Sequence, residues 1–459
     1  MIRALLVLLL GCGSPPPPEP LVLLVTVDTT RADILGCYGD PGDATTTMDS
    51  LAGRGVRFAL ALAHAPTTLS SHASMFSGQD PHGHGIPRNG AGVPQDLPLL
   101  SERLAGAGYD TLAVVGASVL GADQGLSRGF RRYDDTMSTR VRRRYEDDAA
   151  SVTTRALNAI DQREAGKPVF LWVHYYDPHM PWNSASPELV DRFVDKRYRG
   201  IIAANPRALT TAARRGRHGG VTDADRAQAR GYYRAEVAAA DAGLAGLLAG
   251  LEARGLLAES LVVLTADHGE SLGETNSSEV FGHGLDVDAQ NIHVPLIVAG
   301  RGRFQTPVAV VDRQVRLMDV GATVLSVVGV GGGLGQGEDL SPLWKGQTWP
   351  APLSFAEANK PMDRAEDPPL WNNLRLERSV SDGAHLLVWT PWRSLGPWVY
   401  AWQPGLPQIS DLEVREPLLR ALQGWDAAAP QGREVEIDAA TQEMLRALGY
   451  AEEDERDRE

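Results

Sequence analysis

The sequence predicts an α/β protein in which a large, mainly parallel sheet is flanked by helices and followed by a small C-terminal α+β subdomain. Two observations support this fold class. Apolar runs rich in Val and Leu alternate with helical stretches, which is the pattern of repeated βα units. The first of these runs, "LVLLVTVD" (21–28), is almost continuously apolar, as expected for a strand whose two faces are both covered.

The other elements of the main domain follow in chain order. Four more strands are expected, at 109–117, 168–179, 260–270 and 293–300. Helices are expected between them, at 98–108, 150–166, 234–255 and 315–329. The third of these helices ends on Gly255, a residue type favoured at helix termini.

A glycine-rich stretch, "VGGGLGQGEDL" (330–340), marks the expected end of the main domain. The predicted division is therefore an amino-terminal segment (1–20), a main domain (21–335) and a small subdomain with an acidic tail (336–459). Short strand-like runs in the subdomain predict an antiparallel sheet, and "TQEMLRALGY" predicts a terminal helix.

Composition excludes two broad classes of protein. The formal net charge of −14 over 459 residues argues against a general nucleic-acid binder, because phosphate contacts need an excess of Lys and Arg. The two cysteines, Cys12 and Cys37, are too few for a disulfide framework.

The amino-terminal residues "MIRALLVLLLGCGSPPPPEP" predict export. Arg3 precedes a short apolar run, and the segment around Cys12 resembles the lipobox of bacterial lipoprotein signal peptides. A Pro-rich stretch that would serve as a tether follows. We expect a protein anchored through Cys12 to the periplasmic or cell-surface face of a membrane; the alternative is a secretory signal with an incidental cysteine.

Polar side chains follow three of the predicted strands. In open α/β sheets the ligand binds beyond the carboxyl ends of the strands, so we expect these side chains to share one site. Asp28, Asp267 and His268 are a ligand set suited to one divalent ion such as Ca²⁺, Mn²⁺, Mg²⁺ or Zn²⁺. The other strand-end candidates are His174, Asp177, His179 and Glu270, with His283 in the following "FGHG" loop.

Six stretches together resemble the successive motifs of bacterial sulfatase-family proteins of the alkaline-phosphatase superfamily. They occur in the family's order over about residues 21–450: "VDTTRADILGCYGD", "APTTLSSHASMFSG", "HYYDPHMPW", "TADHGESLGE", "FGHGLDVDAQNIHVPLIV" and "LRALGY". The resemblance implies an alkaline-phosphatase-like fold, a catalytic domain over 21–335 and a metal-dependent hydrolase acting on ester bonds.

The resemblance also implies roles for single residues. The family's nucleophile opens a C-x-P-S-R-A motif at a helix start; in this chain Thr68 takes that place, and His72 stands where the family has arginine. The implied roles are catalysis by Thr68, His72, His179 and His283, substrate binding by His174, and metal binding by Asp28, Thr68, Asp267 and His268.

Three departures from the family pattern bear on the chemistry. Thr68 is neither Cys nor Ser, so formylglycine cannot form there; Thr29 replaces a second aspartate; and the Lys and His usual after "VVGASVL" are absent. A formylglycine hydrate can eliminate sulfate, whereas a sulfated threonine would need direct attack at sulfur. Phosphorus accepts such attack more readily, so phosphoester and phosphodiester chemistry is favoured over sulfate.

The expected substrate is a small-molecule, glycan or lipid ester of phosphate or sulfate, and no nucleic acid partner is expected. The alternatives are an arylsulfatase-like sulfuric ester hydrolase, a phosphoglycerol or phosphoethanolamine transferase, and a catalytically inactive lipoprotein that binds anionic glycans or lipids. A second metal held by Asp177, His179 and His283 is a less favoured variant.

Overall fold

The computed structural model describes residues 19–137, 145–202, 221–274, 280–358, 377–390, 396–403, 405–429 and 438–448. Cys12 and the rest of the predicted signal lie outside these residues, so export and lipid anchoring stay predictions. Within the described ranges, no helix combines the length and the apolar character needed to cross a membrane.

The described residues contain sixteen strands in three sheets. Their bounds are β1 (Leu21–Val27), β2 (Val56–Leu62), β3 (Asp110–Val115), β4 (Arg132–Asp134), β5 (Val169–Tyr175), β6 (Ser260–Thr265), β7 (Ser271–Leu272), β8 (Phe281–Gly282), β9 (His293–Gly300), β10 (Ala309–Val311), β11 (Val315–Arg316), β12 (Ser354–Ala358), β13 (Glu377–Ser381), β14 (His385–Trp389), β15 (Trp398–Ala401) and β16 (Gln408–Ile409).

Helices connect and cover these strands. Their bounds are α1 (Thr46–Ala52), α2 (Thr68–Ser77), α3 (Pro81–His84), α4 (Leu100–Gly106), α5 (Ala149–Asp161), α6 (Pro187–Phe193), α7 (Asp223–Ala253), α8 (Ala289–Ile292), α9 (Asp319–Val327), α10 (Leu412–Ala427) and α11 (Ala439–Ala447).

The large sheet has nine strands. Eight follow the order β10–β2–β9–β6–β1–β5–β3–β4, and β11 pairs with β2 beside β10. Within the described residues of this sheet, each strand pairing is parallel except the two that β9 makes, with β2 and with β6. The predicted large, mainly parallel sheet flanked by helices is confirmed.

The first strand shows why its sequence is so apolar. Leu21, Leu23, Val25 and Val27 of β1 face a core shared with α5 and α7. The alternate residues Val22 and Leu24 face a second core shared with α2, α4 and α9. Because helices cover both faces, every position from 21 to 27 is buried, and the alternation places Thr26 on the α2 side.

Three adjacent parallel strands bring the predicted site residues to one edge of this sheet. β1 lies between β5 and β6, and Thr26 is in register with His174 on β5 and with Thr265 on β6. The residues that follow these strands, including Asp28 and Asp267, therefore emerge side by side.

The C-terminal part forms a separate five-stranded antiparallel sheet in the order β12–β13–β14–β15–β16. α10 packs on it through Leu418 and Leu422, which share a small core with Val380 and Leu387. The predicted small α+β subdomain is confirmed, while its boundary at residue 335 stays a prediction.

Candidate active site

The centre of the site is a group of two carboxylates and one imidazole. Asp28 follows β1, and Asp267 and His268 follow β6; one ligand atom of each lies within 4.8 Å of the others. All three side chains are buried, and Asp28 Oδ1, Asp267 Oδ2 and His268 Nε2 have no hydrogen-bond partner. Buried polar atoms are rarely left unpaired, so these three fit a cation.

The orientation of the His268 ring also fits a cation bound between these three side chains. Its Nδ1 lies 2.9 Å from the carbonyl oxygen of Gly269, and a carbonyl can only accept. Nδ1 therefore carries the hydrogen, and in the neutral ring the lone pair of Nε2 points towards the carboxylates. Metal-binding histidines are commonly oriented in this way.

Electrostatics also favour a cation at this position. Burial raises the pKa of Asp28 well above its ordinary value, and the carboxylate of Asp267 raises it further. Burial opposes ionisation of Asp267 too, but His268 and His72 lower the pKa of that carboxyl. Two buried carboxylates this close oppose each other's ionisation, and a divalent cation between them removes that conflict.

Thr68 lies beside this group at the first position of α2. Its Oγ1 donates a hydrogen bond to Asp28 Oδ2 at 3.3 Å. The amino end of a helix favours negative charge, which suits a hydroxyl that loses its proton there. α2 is buried along its whole length, so the hydroxyl is held in a fixed place.

Thr29 holds the backbone of the site in an unusual conformation. Its φ is +50°, a left-handed value that costs a β-branched residue about 1–3 kcal/mol. Two contacts hold it there: its N–H donates to Asp267 Oδ1 at 3.1 Å, and its carbonyl accepts from the Tyr233 hydroxyl at 2.7 Å. A backbone N–H of Thr29 thus contacts the carboxylate of Asp267.

His179 and His283 form a pair next to the carboxylate group. Their Nε2 atoms are 3.0 Å apart, and each Nδ1 faces a carbonyl oxygen, of Met180 and of Pro66 respectively. Each Nδ1 therefore carries a hydrogen, so a hydrogen bond between the two Nε2 atoms requires one shared proton. The ring of His283 lies 4.3 Å from the ring of His268, measured between centroids.

His72 and His174 lie beneath the carboxylate group. Both rings are completely buried, and burial lowers the pKa of His72 to about 3 and that of His174 to about 4. Both nitrogens of His72 have protein partners, the carbonyl of Thr68 at 2.7 Å and the hydroxyl of Thr26 at 3.1 Å. As placed, both rings contact buried side chains beneath Asp28 and Thr68, and their catalytic and substrate-binding roles stay predictions.

The less favoured second metal gains no support from the geometry. Asp177 Oδ1 accepts a hydrogen bond at 3.1 Å from the backbone N–H of Ala149 at the start of α5, which occupies that oxygen. Across the ranges that the structure describes, Asp28, Asp267 and His268 are the one group of His, Cys, Asp and Glu side chains close enough to hold an ion.

Sequence reasoning missed three residues around the site. Arg31 donates to the carbonyl of Glu270 at 3.1 Å and to Glu274 at 2.5 Å, which ties the segment after β6 to the segment after β1. Asn89 accepts from the backbone N–H of Leu69 at 2.8 Å, and its own Nδ2 is buried without a partner. Thr26 lies inside an apolar strand, where a single threonine gives no indication in the sequence of a role near the site.

Comparisons with known proteins identify the family of this chain. A protein-family model described as Sulfatase matches residues 20–330. The chain is 25% identical over 353 residues to the ulvan-active sulfatase of Formosa agariphila, a match that covers 72% of this chain and 66% of that protein. It is 24% identical over 222 residues to the N-acetylglucosamine-6-O-sulfatase of Bacteroides thetaiotaomicron, covering 42% and 39% respectively.

Among solved structures, the phosphonate monoester hydrolase from Silicibacter pomeroyi has a similar fold. The TM-score is 0.68 at 21% identity, over 90% of this chain and 96% of that one. The matches to the two curated sulfatases span 66% and 39% of those proteins' lengths, so they leave part of each relative unaccounted for.

Proposed function

Because the chain belongs to the sulfatase family of the alkaline-phosphatase superfamily, we propose that it is an ester hydrolase that cleaves phosphate esters in preference to sulfate esters, with Thr68 as nucleophile. The observation that carries the proposal is the hydroxyl of Thr68, 3.3 Å from Asp28 Oδ2. That hydroxyl lies at the start of a buried helix and beside three unpaired ligand atoms.

Asp28, Asp267 and His268 would hold one divalent cation, because their unpaired atoms and opposed carboxylates fit it. When bound, the cation supplies positive charge that stabilises a deprotonated hydroxyl and the oxygens of the transferred group. Three protein ligands would leave a coordination position open, which is the arrangement of catalytic sites.

In the first step, Thr68 Oγ1 forms a bond to phosphorus while the bond from phosphorus to the leaving oxygen breaks. The hydroxyl proton passes to Asp28 Oδ2, to which it already donates. The proton shared by His179 and His283 passes to the leaving oxygen, which then departs as a neutral alcohol.

In the second step, water attacks the phosphorus of the phosphorylated Thr68. The histidine pair, having lost its shared proton, accepts one from the water. Thr68 Oγ1 leaves and recovers its proton from Asp28, so phosphate is released and every group returns to its starting state. The same residues thus act in both directions.

Phosphate is favoured over sulfate by the identity of the nucleophile. Threonine carries a single hydroxyl on its Cβ, so the covalent intermediate can be resolved only by attack at phosphorus or sulfur. Phosphorus accepts that attack more readily. The shared fold with a phosphonate monoester hydrolase is consistent with this preference, although it bears on the fold alone.

A substrate panel tests the proposal directly. With Mn²⁺ supplied, we expect aryl phosphodiesters or monoesters to be hydrolysed more than about tenfold faster than the matching aryl sulfate, a difference of about 1.4 kcal/mol in activation free energy. The measurement is kcat/KM for p-nitrophenyl esters of equal structure. Hydrolysis of the sulfate ester alone would reverse the proposed preference for phosphate over sulfate. Turnover of none of the esters would contradict the proposal as a whole.

The second candidate is a sulfuric ester hydrolase acting on glycans. It is favoured by the names of the matched relatives, an ulvan-active sulfatase and an N-acetylglucosamine-6-O-sulfatase. Faster release of sulfate from a sulfated glucosamine than of phosphate from its phosphate analogue would place this candidate first.

The histidine pair yields a separate prediction. Replacing His283 with Ala removes the shared proton, so kcat/KM should fall about 10²- to 10⁴-fold for esters with alkyl leaving groups. Esters of p-nitrophenol should lose much less, because that leaving group needs little protonation. Replacing His293, which contacts the carbonyl of Ala59 on the sheet, should leave both rates near wild type. Equal losses for both kinds of ester would contradict the acid role.

A further inference from the structure

Thr26 is the centre of a hydrogen-bond network beneath the candidate metal site. Three side chains surround its Oγ1: His174 Nδ1 at 2.9 Å, Trp172 Nε1 at 3.0 Å and His72 Nε2 at 3.1 Å. All four side chains are completely buried. A threonine at the end of an apolar strand therefore joins residues from three different elements, β1, β5 and α2.

The three partners use the whole hydrogen-bonding capacity of the hydroxyl. A threonine hydroxyl has one proton and two lone pairs. The indole N–H of Trp172 can only donate, so it occupies one lone pair. The hydroxyl must then donate to one imidazole and accept from the other, which couples the hydrogen positions of His72 and His174.

Both histidines extend this network to the groups that the proposed reaction uses. His72 Nδ1 donates to the carbonyl of Thr68 at 2.7 Å. His174 Nε2 lies in contact with Asp28 Oδ2 at 3.3 Å without a hydrogen bond, and that oxygen also accepts from the Thr68 hydroxyl. The Thr26 hydroxyl is thus linked to Thr68 through His72 and to Asp28 through His174.

The rings also support one another by packing. The centroids of His72 and His174 are 4.9 Å apart at an interplanar angle of 87°, and those of His72 and Trp172 are 5.3 Å apart. Packing alone allows an imidazole ring to flip by 180° about its Cβ–Cγ bond. For His174, whose Nε2 has no hydrogen-bond partner, the Thr26 hydroxyl distinguishes one ring orientation from the other, and for His72 it acts together with the carbonyl of Thr68.

We propose that Thr26 is a positioning residue, which sets the orientations of His72 and His174 and through them holds Asp28 and Thr68 in place for the metal. This inference rests on the proposed function for its chemical meaning. Its test is metal affinity, which does not depend on turnover. Loss of an outer-shell partner typically weakens metal binding about 10- to 100-fold.

The experiment compares Mn²⁺ binding by isothermal titration calorimetry in the metal-stripped wild type and in variants. Thr26→Val keeps the shape of the side chain and removes the hydroxyl, leaving three buried polar atoms without their partner. We expect its affinity for Mn²⁺ to fall about 10- to 100-fold. Thr26→Ser keeps the hydroxyl and should bind Mn²⁺ within about threefold of wild type.

Thr265 provides a matched control. It is the residue in register with Thr26 on the neighbouring strand, it is equally buried, and its hydroxyl donates to the carbonyl of Pro295 at 2.7 Å. Thr265→Val therefore also removes a buried hydroxyl, but one outside the network. We expect it to lower the thermal midpoint of the metal-free protein while leaving Mn²⁺ affinity near wild type.

Any one of three results would overturn the inference. These are wild-type Mn²⁺ affinity in Thr26→Val, an equal loss of affinity in Thr265→Val, and weak Mn²⁺ binding by Thr26→Ser. If Thr26→Val does not fold, Trp172→Phe removes the indole N–H together with the five-membered ring that carries it. We expect it to weaken Mn²⁺ binding several-fold, and unchanged affinity would again overturn the inference. A wild type that binds Mn²⁺ and hydrolyses no ester would contradict the proposed function and leave this inference standing.

Discussion

Replacing Thr68 with Ala is expected to lower kcat/KM for an aryl phosphate ester by about 10⁴- to 10⁶-fold, the range seen when hydrolases lose their nucleophile. The reason is that the residue would have no atom able to form the covalent intermediate. Mn²⁺ affinity should change far less than activity, since Asp28, Asp267 and His268 keep their places. The measurement is kcat/KM together with calorimetric metal binding.

Two further variants separate the nucleophile from the other hydroxyls of α2. Thr68→Ser keeps a primary hydroxyl at the same position and should retain activity within about 100-fold of wild type, a difference of about 2.7 kcal/mol. Ser74→Ala removes a hydroxyl that contacts Ser70 O and His84, about 1.7 turns further along the helix than Thr68. This variant should be nearly neutral in rate. Comparable activity in Thr68→Ala and wild type would show that another group attacks the ester.

Replacing Asp267 with Asn is expected to abolish tight Mn²⁺ binding and to lower kcat/KM by roughly 10³-fold or more, because the cation is worth several kcal/mol to such reactions. In wild type, Mn²⁺ at 100 times its Kd should stabilise the fold by about 2.7 kcal/mol. The variant should show no such stabilisation. The measurements are chemical unfolding with and without Mn²⁺, and kcat/KM.

Comparing each variant with and without Mn²⁺ separates loss of the metal from loss of folding, because only a protein that binds the ion gains stability from it. Asp241→Asn is the matched control. Asp241 is another buried aspartate, but it accepts the backbone N–H groups of Thr47 and Met48 at the start of α1. We expect that variant to lose stability and keep its response to Mn²⁺. An Asp267→Asn variant that still gained stability from Mn²⁺ would place the metal elsewhere.

Much of the architecture could be predicted because it depends on periodic patterns. A strand such as 21–27 is apolar at nearly every position only when helices cover both of its faces, and the structure has this arrangement. The C-terminal subdomain could be recognised from short strand-like runs, yet the pairing order of its five strands had no signal in those runs.

His72 illustrates what the pattern could not predict. Its predicted catalytic role came from its place in the family motif, four residues after Thr68, where the family has arginine. Side chains on a helix tilt towards its amino end, so the ring instead reaches back to the carbonyl of Thr68. His174 likewise stands inside β5, two residues before the strand-end segment, and its ring lies beneath the site between Thr26 and Asp28.

The sequence by itself determined the fold class and the group Asp28, Asp267 and His268, because parallel neighbouring strands must end at one edge and release their last polar residues there. Only the tertiary structure decided which polar groups face that edge and which support it from behind. The reason is that a buried hydroxyl or imidazole is defined by its partners, and the partners of Thr26 come from elements 46 to 148 residues away in the chain.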